Sequence, residues 1–326
     1  MRMSDRRRFL SLACATLAAP AVSRRALADV WPKDRVIRTI VPFGAGSTVD
    51  IIGRIVLDPL SAAIGQTIVV ENRGGAGGSL GSAAVAKAEP DGYTLLVNAS
   101  AHSAALAAYP NLAYDPAKDF AAIAVLGVVP NVLLMAPSKG ITTAQALVER
   151  AKSGTVTFSS AGVGSASHWA AERFIIAAGI KATHVPFRGG PEALTEVMTG
   201  RVDFNFSGIS SAMPFIRDGR VLALAVSAKR RSPSLPNVPT TIEAGYPDSD
   251  YVFWNGVLAP AKTPRPIIER LHAEVGKALM LPAVEEKLKA QGVEPLPLSP
   301  QEFDAMIARE VVSNINLAKA AGLTFN

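Results

Sequence analysis

The side chains that could carry out chemistry are few, and their spacing favours binding over catalysis. The chain has four histidines, and none stands at metal-ligand spacing from another histidine or from the single cysteine. The stretch from Gly208 to Ala212 lacks the final glycine of a serine-hydrolase elbow. We therefore expect no catalytic residue, no metal and no cofactor. An exported enzyme that uses His168 or His102 as a base near a serine is the competing class.

Small polar residues follow most of the predicted strands, and these loops are the better candidates for a site. They cover residues 44–48, 99–103, 159–167, 188–191 and 207–211. Ligands of open parallel sheets lie beyond the carboxyl ends of strands, against helix N-termini. Backbone N–H groups and the helix dipole favour an anion there, so a carboxylate fits without a lysine.

Two other interpretations of these loops remain open. The loop at residues 160–165 superficially resembles a phosphate loop but lacks the G-K-[ST] ending, which disfavours nucleotide binding. For Ser160, Ser165 and Ser210, helix capping is as good an explanation as ligand contact. The binding hypothesis therefore depends on the whole set of loops.

The elements that must position these loops alternate between strand and helix. Residues 36–41 predict a strand, and a helix follows from Thr48, with Ser47 and Asp50 placed as a capping box. Further strands are predicted at 67–71 and 93–97. This alternation predicts an α/β fold with a parallel sheet.

A second αβ unit is predicted from about residue 130. Separate strands are expected near residues 121–125 and 132–136, and later strands and helices continue to residue 226. A further strand is expected at 254–259, followed by helices at 267–280, 283–291 and about 300–321. If this last part packs on the first unit, the chain crosses between the two units twice, near residues 130 and 254. Two such crossings are typical of a hinged two-lobe receptor.

The first 28 residues have the composition of an export signal. Arginines at positions 6–8 precede Phe9 and Leu10, a mildly apolar stretch follows, and Ala26, Leu27 and Ala28 form an A-x-A cleavage site. The apolar stretch is too short for a membrane-spanning helix. We therefore expect twin-arginine (Tat) export, cleavage after Ala28 and a mature protein in the periplasm.

Removal of this segment changes the charge argument. Residues 1–28 hold six arginines and one aspartate, so cleavage lowers the formal charge from +6 to +1. A nearly neutral mature chain disfavours nucleic-acid binding. The cysteine, Cys14, also lies in this segment, so we expect neither a disulfide nor a thiolate metal site in the mature protein.

The chain resembles the Bug receptors of tripartite tricarboxylate transporters over nearly the whole mature sequence. The blocks that carry the resemblance include IVPFGAGSTVD from Ile40, YDPAKDFAAIA from Tyr114, FSSAGVGSASHWAAERF from Phe158, HVPFRGGPEALTEVMTGRVDFNF from His184 and WNGVLAPAKTP from Trp254. The resemblance implies a two-lobe type II periplasmic binding fold, with two hinge crossovers. One lobe would comprise residues 29–129 plus 255–326, and the other residues 130–254.

The resemblance also implies a site between the lobes, formed by the first strand-to-helix loop and by facing loops of the second lobe. The candidate ligand-binding residues are Phe43, Gly44, Ala45, Gly46, Ser47, Thr48, Asp50, Ser100, His102, Ser160, Ala161, Gly162, Gly164, Ser165, His168, Pro186, Phe187, Arg188, Gly189, Ser207 and Ser210. Ser207 stands where relatives often have an acidic residue, which favours a ligand without an ammonium group.

The function that the resemblance implies is a periplasmic solute-binding receptor. It would capture a small carboxylate, a dicarboxylate, tricarboxylate or aromatic acid, and deliver it as a monomer to the membrane subunits of a tripartite tricarboxylate transporter. A receptor that senses its ligand for a signalling partner is the alternative, and an enzyme acting on a small organic acid is a weaker one.

Overall fold

Strands and helices alternate along the chain. The structure is a computed structural model and describes residues 31–32, 35–109 and 111–320. The strands are β1 (Ile37–Val41), β2 (Ile68–Asn72), β3 (Thr94–Ala99), β4 (Phe120–Met135), β5 (Thr157–Ser160), β6 (Thr183–Pro186), β7 (Phe204–Gly208), β8 (Leu222–Val226) and β9 (Val252–Pro260). The helices are α1 (Thr48–Ile64), α2 (Ser79–Ala86), α3 (Ala101–Ala108), α4 (Ala144–Ser153), α5 (Ala166–Ala178), α6 (Gly190–Met198), α7 (Ile209–Arg217), α8 (Arg265–Leu279), α9 (Pro282–Ala290) and α10 (Pro300–Ala320). The predicted export segment lies outside the described residues.

Strand β4 joins two halves of one mixed sheet. Its residues Phe120 to Pro130 pair antiparallel with β9, and β9 continues through β3 to the parallel strands β1 and β2. From Asn131 onward β4 pairs instead with β7 and β8, and β7 continues to the parallel strands β5 and β6. We refer to the two sets as the first half and the second half of the sheet.

Helix α1 shows how the sequence fixes the first half. Ser47 caps its start by accepting the N–H of Asp50 at 3.4 Å, and Gly65 ends it in a left-handed conformation with φ 67°. Ile52, Val56 and Leu60 recur at helical spacing and are fully buried against the sheet. On the opposite face of the sheet, Phe303 of α10 packs edge-on against Trp254.

The second half has its own aromatic core. Phe158 of β5 and Phe204 of β7 stack with ring centroids 5.6 Å apart, and Phe174 of α5 lies 5.5 Å from Phe206 of β7. All four rings are fully buried. The two halves therefore have separate cores on a shared sheet, although Ile209 and Met213 of α7 pack into the core of the first half.

The sequence-based boundaries differ from the structure in three places. Residues 121–125 and 132–136 form parts of one strand of 16 residues, β4, because the ladder continues through Pro130, which pairs with Val252. Helices α3 and α7 occupy residues that the sequence analysis assigned to loops. Both are short and have serines at or near their start, Ser100 and Ser103 for α3 and Ser210 and Ser211 for α7, and serine is also common in turns.

Within the part of the chain that the structure describes, no helix combines the length and the apolar character of a membrane span.

Two glycines that differ in their surroundings test the packing of the first half. A Cβ at Gly256 of β9 would lie 2.6 Å from the ring of Phe303, whereas a Cβ at Gly276 of α8 would meet nothing within 4 Å. We expect Gly256→Ala to lower the free energy of unfolding by about 1–3 kcal/mol through overpacking. Gly276→Ala should raise it by up to about 1 kcal/mol, since alanine favours a helix. Chemical denaturation followed by circular dichroism measures both, and equal effects would contradict this account of the packing.

Candidate functional site

A small cavity of about 50 Å³ lies where the two halves of the sheet meet. Strand ends and the starts of helices from both halves surround it. Its lining consists of Phe43, Ser47, Thr48, Val49, Ala99, Ala101, Asn131, Ala161, Ser165, Ala166, Ser167, Gly190, Asn205, Phe206, Ser207, Gly208, Ser211 and Phe253.

Two serine-capped helices bring their first residues into this lining, one from each half. Ser47 precedes Thr48 and Val49 at the start of α1, and Ser165 precedes residues 166–167 at the start of α5. Each serine hydroxyl accepts the N–H of the third helical residue at 3.4 Å. The first two N–H groups of a helix have no acceptor within the helix and lie at its positive end.

Three further helices begin at the same place. Ala101 is the first residue of α3, Gly190 is the first residue of α6, and Gly208 directly precedes α7. None of the described lining residues is Asp, Glu, Lys, Arg or His. An anion in this cavity would therefore meet only backbone N–H groups, hydroxyls and amides, under the combined influence of several helix dipoles.

The two halves are in contact around the cavity. Thr48 of α1 donates from Oγ1 to Oγ of Ser211 in α7 at 3.2 Å, and Tyr109 donates its hydroxyl to the carbonyl of Val163 at 3.0 Å. On another side, Ser210 donates to the carbonyl of Gln291 at 2.7 Å. These contacts join the two halves on several sides of the cavity.

The structure brings six of the residues proposed from the sequence into the cavity lining, and places others beside it. The six are Phe43, Ser47, Thr48, Ala161, Ser165 and Ser207. Gly162, Pro186, Phe187 and Arg188 line an adjacent open depression together with Ala76 and Tyr109. Gly189 lies against Gly44, since a Cβ on Gly189 would be 3.4 Å from the Gly44 nitrogen. Ala45 and Gly46 belong to the same first loop but do not line the cavity.

Asp50 supports the first loop from behind and does not line the cavity. Its Oδ2 accepts the N–H of Gly46 at 2.9 Å, and its Oδ1 accepts bonds from Arg54 and Asn72, both at 2.9 Å. This carboxylate at the start of α1 is thus engaged by the protein itself. Of the predicted capping box, the bond from the Asp50 N–H to Ser47 is present, but the Asp50 carboxylate accepts the N–H of Gly46, one residue before the cap.

Ser100 and His102 lie in the interior of the first half and do not line the cavity. The hydroxyl of Ser100 accepts the backbone N–H of Trp254 at 3.0 Å. His102 packs against Phe120, with ring centroids 4.6 Å apart, and its Nε2 lies 3.0 Å from the carbonyl of Pro116. Burial lowers the pKa of His102 to about 4, so the ring is neutral at ordinary pH.

His168 and His184 hold the loop at residues 160–165 from the side away from the cavity. Their rings stack with centroids 4.0 Å apart. The N–H of Gly164 donates to Nδ1 of His168 at 3.1 Å, and Oγ of Ser160 lies 2.6 Å from Nε2 of His184. Burial, together with the neighbouring His168, lowers the pKa of His184 to about 3. Ser160, Gly164 and His168 thus position this loop.

The polar side chains give no arrangement for nucleophilic catalysis at the cavity. One G-x-S-x-G pattern does occur, at residues 77–81, and the sequence analysis did not weigh it. Its Ser79 opens helix α2, and its hydroxyl has no hydrogen bond to a histidine within the described ranges. The described residues also contain no cluster of His, Cys, Asp and Glu that could hold a metal ion.

Sequence reasoning missed several lining residues, chief among them Asn131, Asn205 and Phe253. Asn131 follows a run of apolar residues in β4, and Asn205 stands between two phenylalanines in β7. A buried asparagine in an apolar strand needs hydrogen-bond partners. That requirement was the signal that could have identified both.

Comparison with known proteins agrees with this geometry. The profile of the family described as "Tripartite tricarboxylate transporter family receptor" (TctC) matches residues 52–323. BugT of Bordetella pertussis is 33% identical over 308 residues, which cover 93% of this chain and 94% of that protein.

Two solved structures from Rhodopseudomonas palustris extend the likeness to the fold. MatC with bound malate is 34% identical with a TM-score of 0.83, over 87% of this chain and 99% of that one. A second protein, solved with adipate, is 32% identical with a TM-score of 0.86, over 90% and 98%. The predicted two-lobe periplasmic binding fold is thereby confirmed, and the chain belongs to the tripartite tricarboxylate transporter receptor family.

Proposed function

We propose that this protein is a periplasmic receptor that captures a small carboxylate between its two lobes and delivers it to a tripartite tricarboxylate transporter. The observation that carries the proposal is the cavity itself, where the serine-capped starts of α1 and α5 meet from opposite halves without a charged side chain. Relatives with bound malate and adipate support a carboxylate as the ligand.

The carboxylate would be held by backbone groups. The N–H groups of Thr48 and Val49 in one lobe, and those of residues 166–167 in the other, are the donors that the two helices leave free. Hydrogen bonds to an ionised acceptor are stronger than those between neutral groups. Because the donors come from both lobes, an anion between them would favour the closed form.

Closure then works by population shift. A ligand that contacts both lobes binds the closed form more tightly than the open form, and so increases the closed population. We place the lobe boundaries at residues 129/130 and 254/255. At this hinge β4 changes its pairing from β9 to β7 and β8. Ser227 links the two crossings, since its N–H donates to the Asn131 carbonyl at 2.8 Å and its hydroxyl donates to the Tyr251 carbonyl.

We infer that the protein acts as a binding protein and not as an enzyme. The cavity lacks a general base, since His102 lies in the first core and His168 behind the loop. The partners would be the membrane subunits of the transporter, which the receptor meets as a monomer after Tat-type export. A signalling partner for the closed form is the alternative to transport.

A thermal-shift screen against small carboxylates tests the function. A ligand that binds only the folded protein stabilises it by about 2.7 kcal/mol at a hundredfold excess over Kd. We expect a clear rise in Tm with one chemical group of acids, and no rise with the matching amides or esters. Folded, ligand-free protein that responds to no acid in the panel would contradict the proposal.

Gly208 offers a direct test of closure. A Cβ at this position would lie 2.3 Å from Oγ1 of Thr48 and 3.0 Å from the Phe253 ring, across the interface between the halves. We expect Gly208→Ala to weaken carboxylate binding about tenfold or more, because overpacking costs about 1–3 kcal/mol and Thr48 is stiff at χ1. Isothermal titration calorimetry measures the Kd.

Small-angle X-ray scattering of the same Gly208→Ala protein with ligand should report a larger radius of gyration than wild type. Gly276→Ala, a glycine-to-alanine change in open space, serves as the matched control and should bind normally. Wild-type affinity in Gly208→Ala would show that binding does not require this closed contact.

The export proposal has a separate test. Protein recovered from the periplasm of an expressing Gram-negative cell should begin at Asp29, as judged by intact mass. Replacing both Arg6 and Arg7 with lysine should keep the precursor in the cytoplasm, because the twin-arginine signal is read as a receptor address. Normal export of that variant would contradict the Tat assignment.

A further inference from the structure

Two buried asparagines of the cavity lining carry polar atoms without a protein partner. They are Asn131, 1% exposed, and Asn205, 2% exposed. Both amide atoms of Asn131 and Oδ1 of Asn205 have no hydrogen bond in the described structure. A buried polar atom that is left unpaired lowers stability. These atoms therefore call for partners from outside the protein, which a bound ligand or an ordered water would bring.

The orientation of the Asn205 amide is fixed by its neighbours. Its Nδ2 lies 2.8 Å from the carbonyl oxygen of Ser159 and 3.1 Å from Oγ of the same residue. A carbonyl oxygen can only accept a hydrogen bond, so the amide atom beside it must be the NH₂ group. The Ser159 hydroxyl in turn donates to the carbonyl of Ala193 at 2.9 Å. Oδ1 of Asn205 is consequently an acceptor that needs a donor.

The hydroxyls of the lining are engaged elsewhere. Ser211 donates to the carbonyl of Gly208 at 3.0 Å and lies within hydrogen-bond distance of Ser207 and Thr48. Oγ of Ser167 accepts the N–H of Ala161 at 2.9 Å, and Ser165 and Ser167 bond to each other. None of these groups lies within hydrogen-bond distance of Asn205 Oδ1 in the described structure, so a donor carried by the ligand would satisfy it.

An ionised carboxylate cannot be that partner, because it only accepts hydrogen bonds. A second group on the ligand must donate. A charged ammonium group is disfavoured, since no Asp or Glu is found among the described lining residues. A hydroxyl is the smallest uncharged donor and suits a cavity of about 50 Å³. Asn131 can donate or accept, so it adds affinity for polar groups without selecting between them.

We propose that the cavity selects hydroxycarboxylates, with the ligand hydroxyl donating its hydrogen bond to Oδ1 of Asn205. This inference rests on the proposed function of the site as a carboxylate receptor and narrows the class of ligand. A ligand without the hydroxyl leaves Asn205 Oδ1 buried and unpaired in the closed form, and that penalty is the source of the selectivity.

Matched pairs of acids that differ by one hydroxyl test the proposal by calorimetry. Suitable pairs are malate and succinate, lactate and propionate, and mandelate and phenylacetate. We expect the hydroxyl member of the pair that fits the cavity to bind about tenfold more tightly or better than its partner. Equal Kd values in every pair that binds would overturn the hydroxyl requirement and leave the carboxylate function intact. Binding of no acid at all would contradict both.

Asn205→Leu connects the preference to one atom. In this variant we expect the ratio of Kd values within the preferred pair to fall to about one, because the acid without the hydroxyl no longer leaves a buried acceptor unpaired and the hydroxy acid loses its hydrogen-bond partner. General damage to the lobe would weaken both members of the pair and leave the ratio unchanged, which would overturn the role of Asn205. Thr241→Val is the control and should keep the wild-type ratio of Kd values. Thr241 lies outside the cavity lining, and its buried hydroxyl has no hydrogen-bond partner in the described structure.

Discussion

The architecture depends on one strand that must satisfy two hydrogen-bonding ladders. Strand β4 belongs to the first half of the sheet up to Pro130 and to the second half from Asn131. Because the backbone is continuous at that point, the two cores cannot separate or slide freely. A relative rotation must instead be absorbed at β4 and at the second crossing, at the start of β9 near Val252. The cavity lies beside this joint, and Asn131 contributes to both.

The cavity owes its suitability for an anion to backbone N–H groups and not to charged side chains. Helix starts have unpaired N–H groups wherever they occur, and most proteins expose them to water or cap them. In this chain Ser47 and Ser165 cap only the third residue of their helices, and the first two residues of each helix line the cavity. The polar side chains around them would then determine which groups of a bound ligand can be charged and which must be neutral.

The sequence predicted the alternating fold and the glycine and serine loops well, because hydrophobic periodicity and turn residues are local signals. It also predicted Ser47 as the cap of α1, but it counted Asp50 among the ligand-binding candidates, and that carboxylate supports the loop through the N–H of Gly46. It did not separate loop residues that face the cavity, such as Thr48, from those that support the loop, such as His168. That distinction depends on which way a loop turns between two cores, which is decided by contacts such as the stacking of His168 on His184. Asn205 was missed because its partner, Ser159, lies on another strand.

The chemistry of the cavity lining bears on the medium in which the protein works. A compartment outside the cytoplasmic membrane follows the acidity of the surroundings, and a site built on lysine, histidine or glutamate would change its charge with them. None of the described lining residues is Asp, Glu, Lys, Arg or His, and partial burial, together with His168, lowers the pKa of His184 beside the loop to about 3. The charge of the lining itself should thus be constant across acidic and neutral surroundings. Any response of binding to acidity would then come from the ionisation of the captured acid itself. The pKa of that acid would determine the pH range in which the protein binds it.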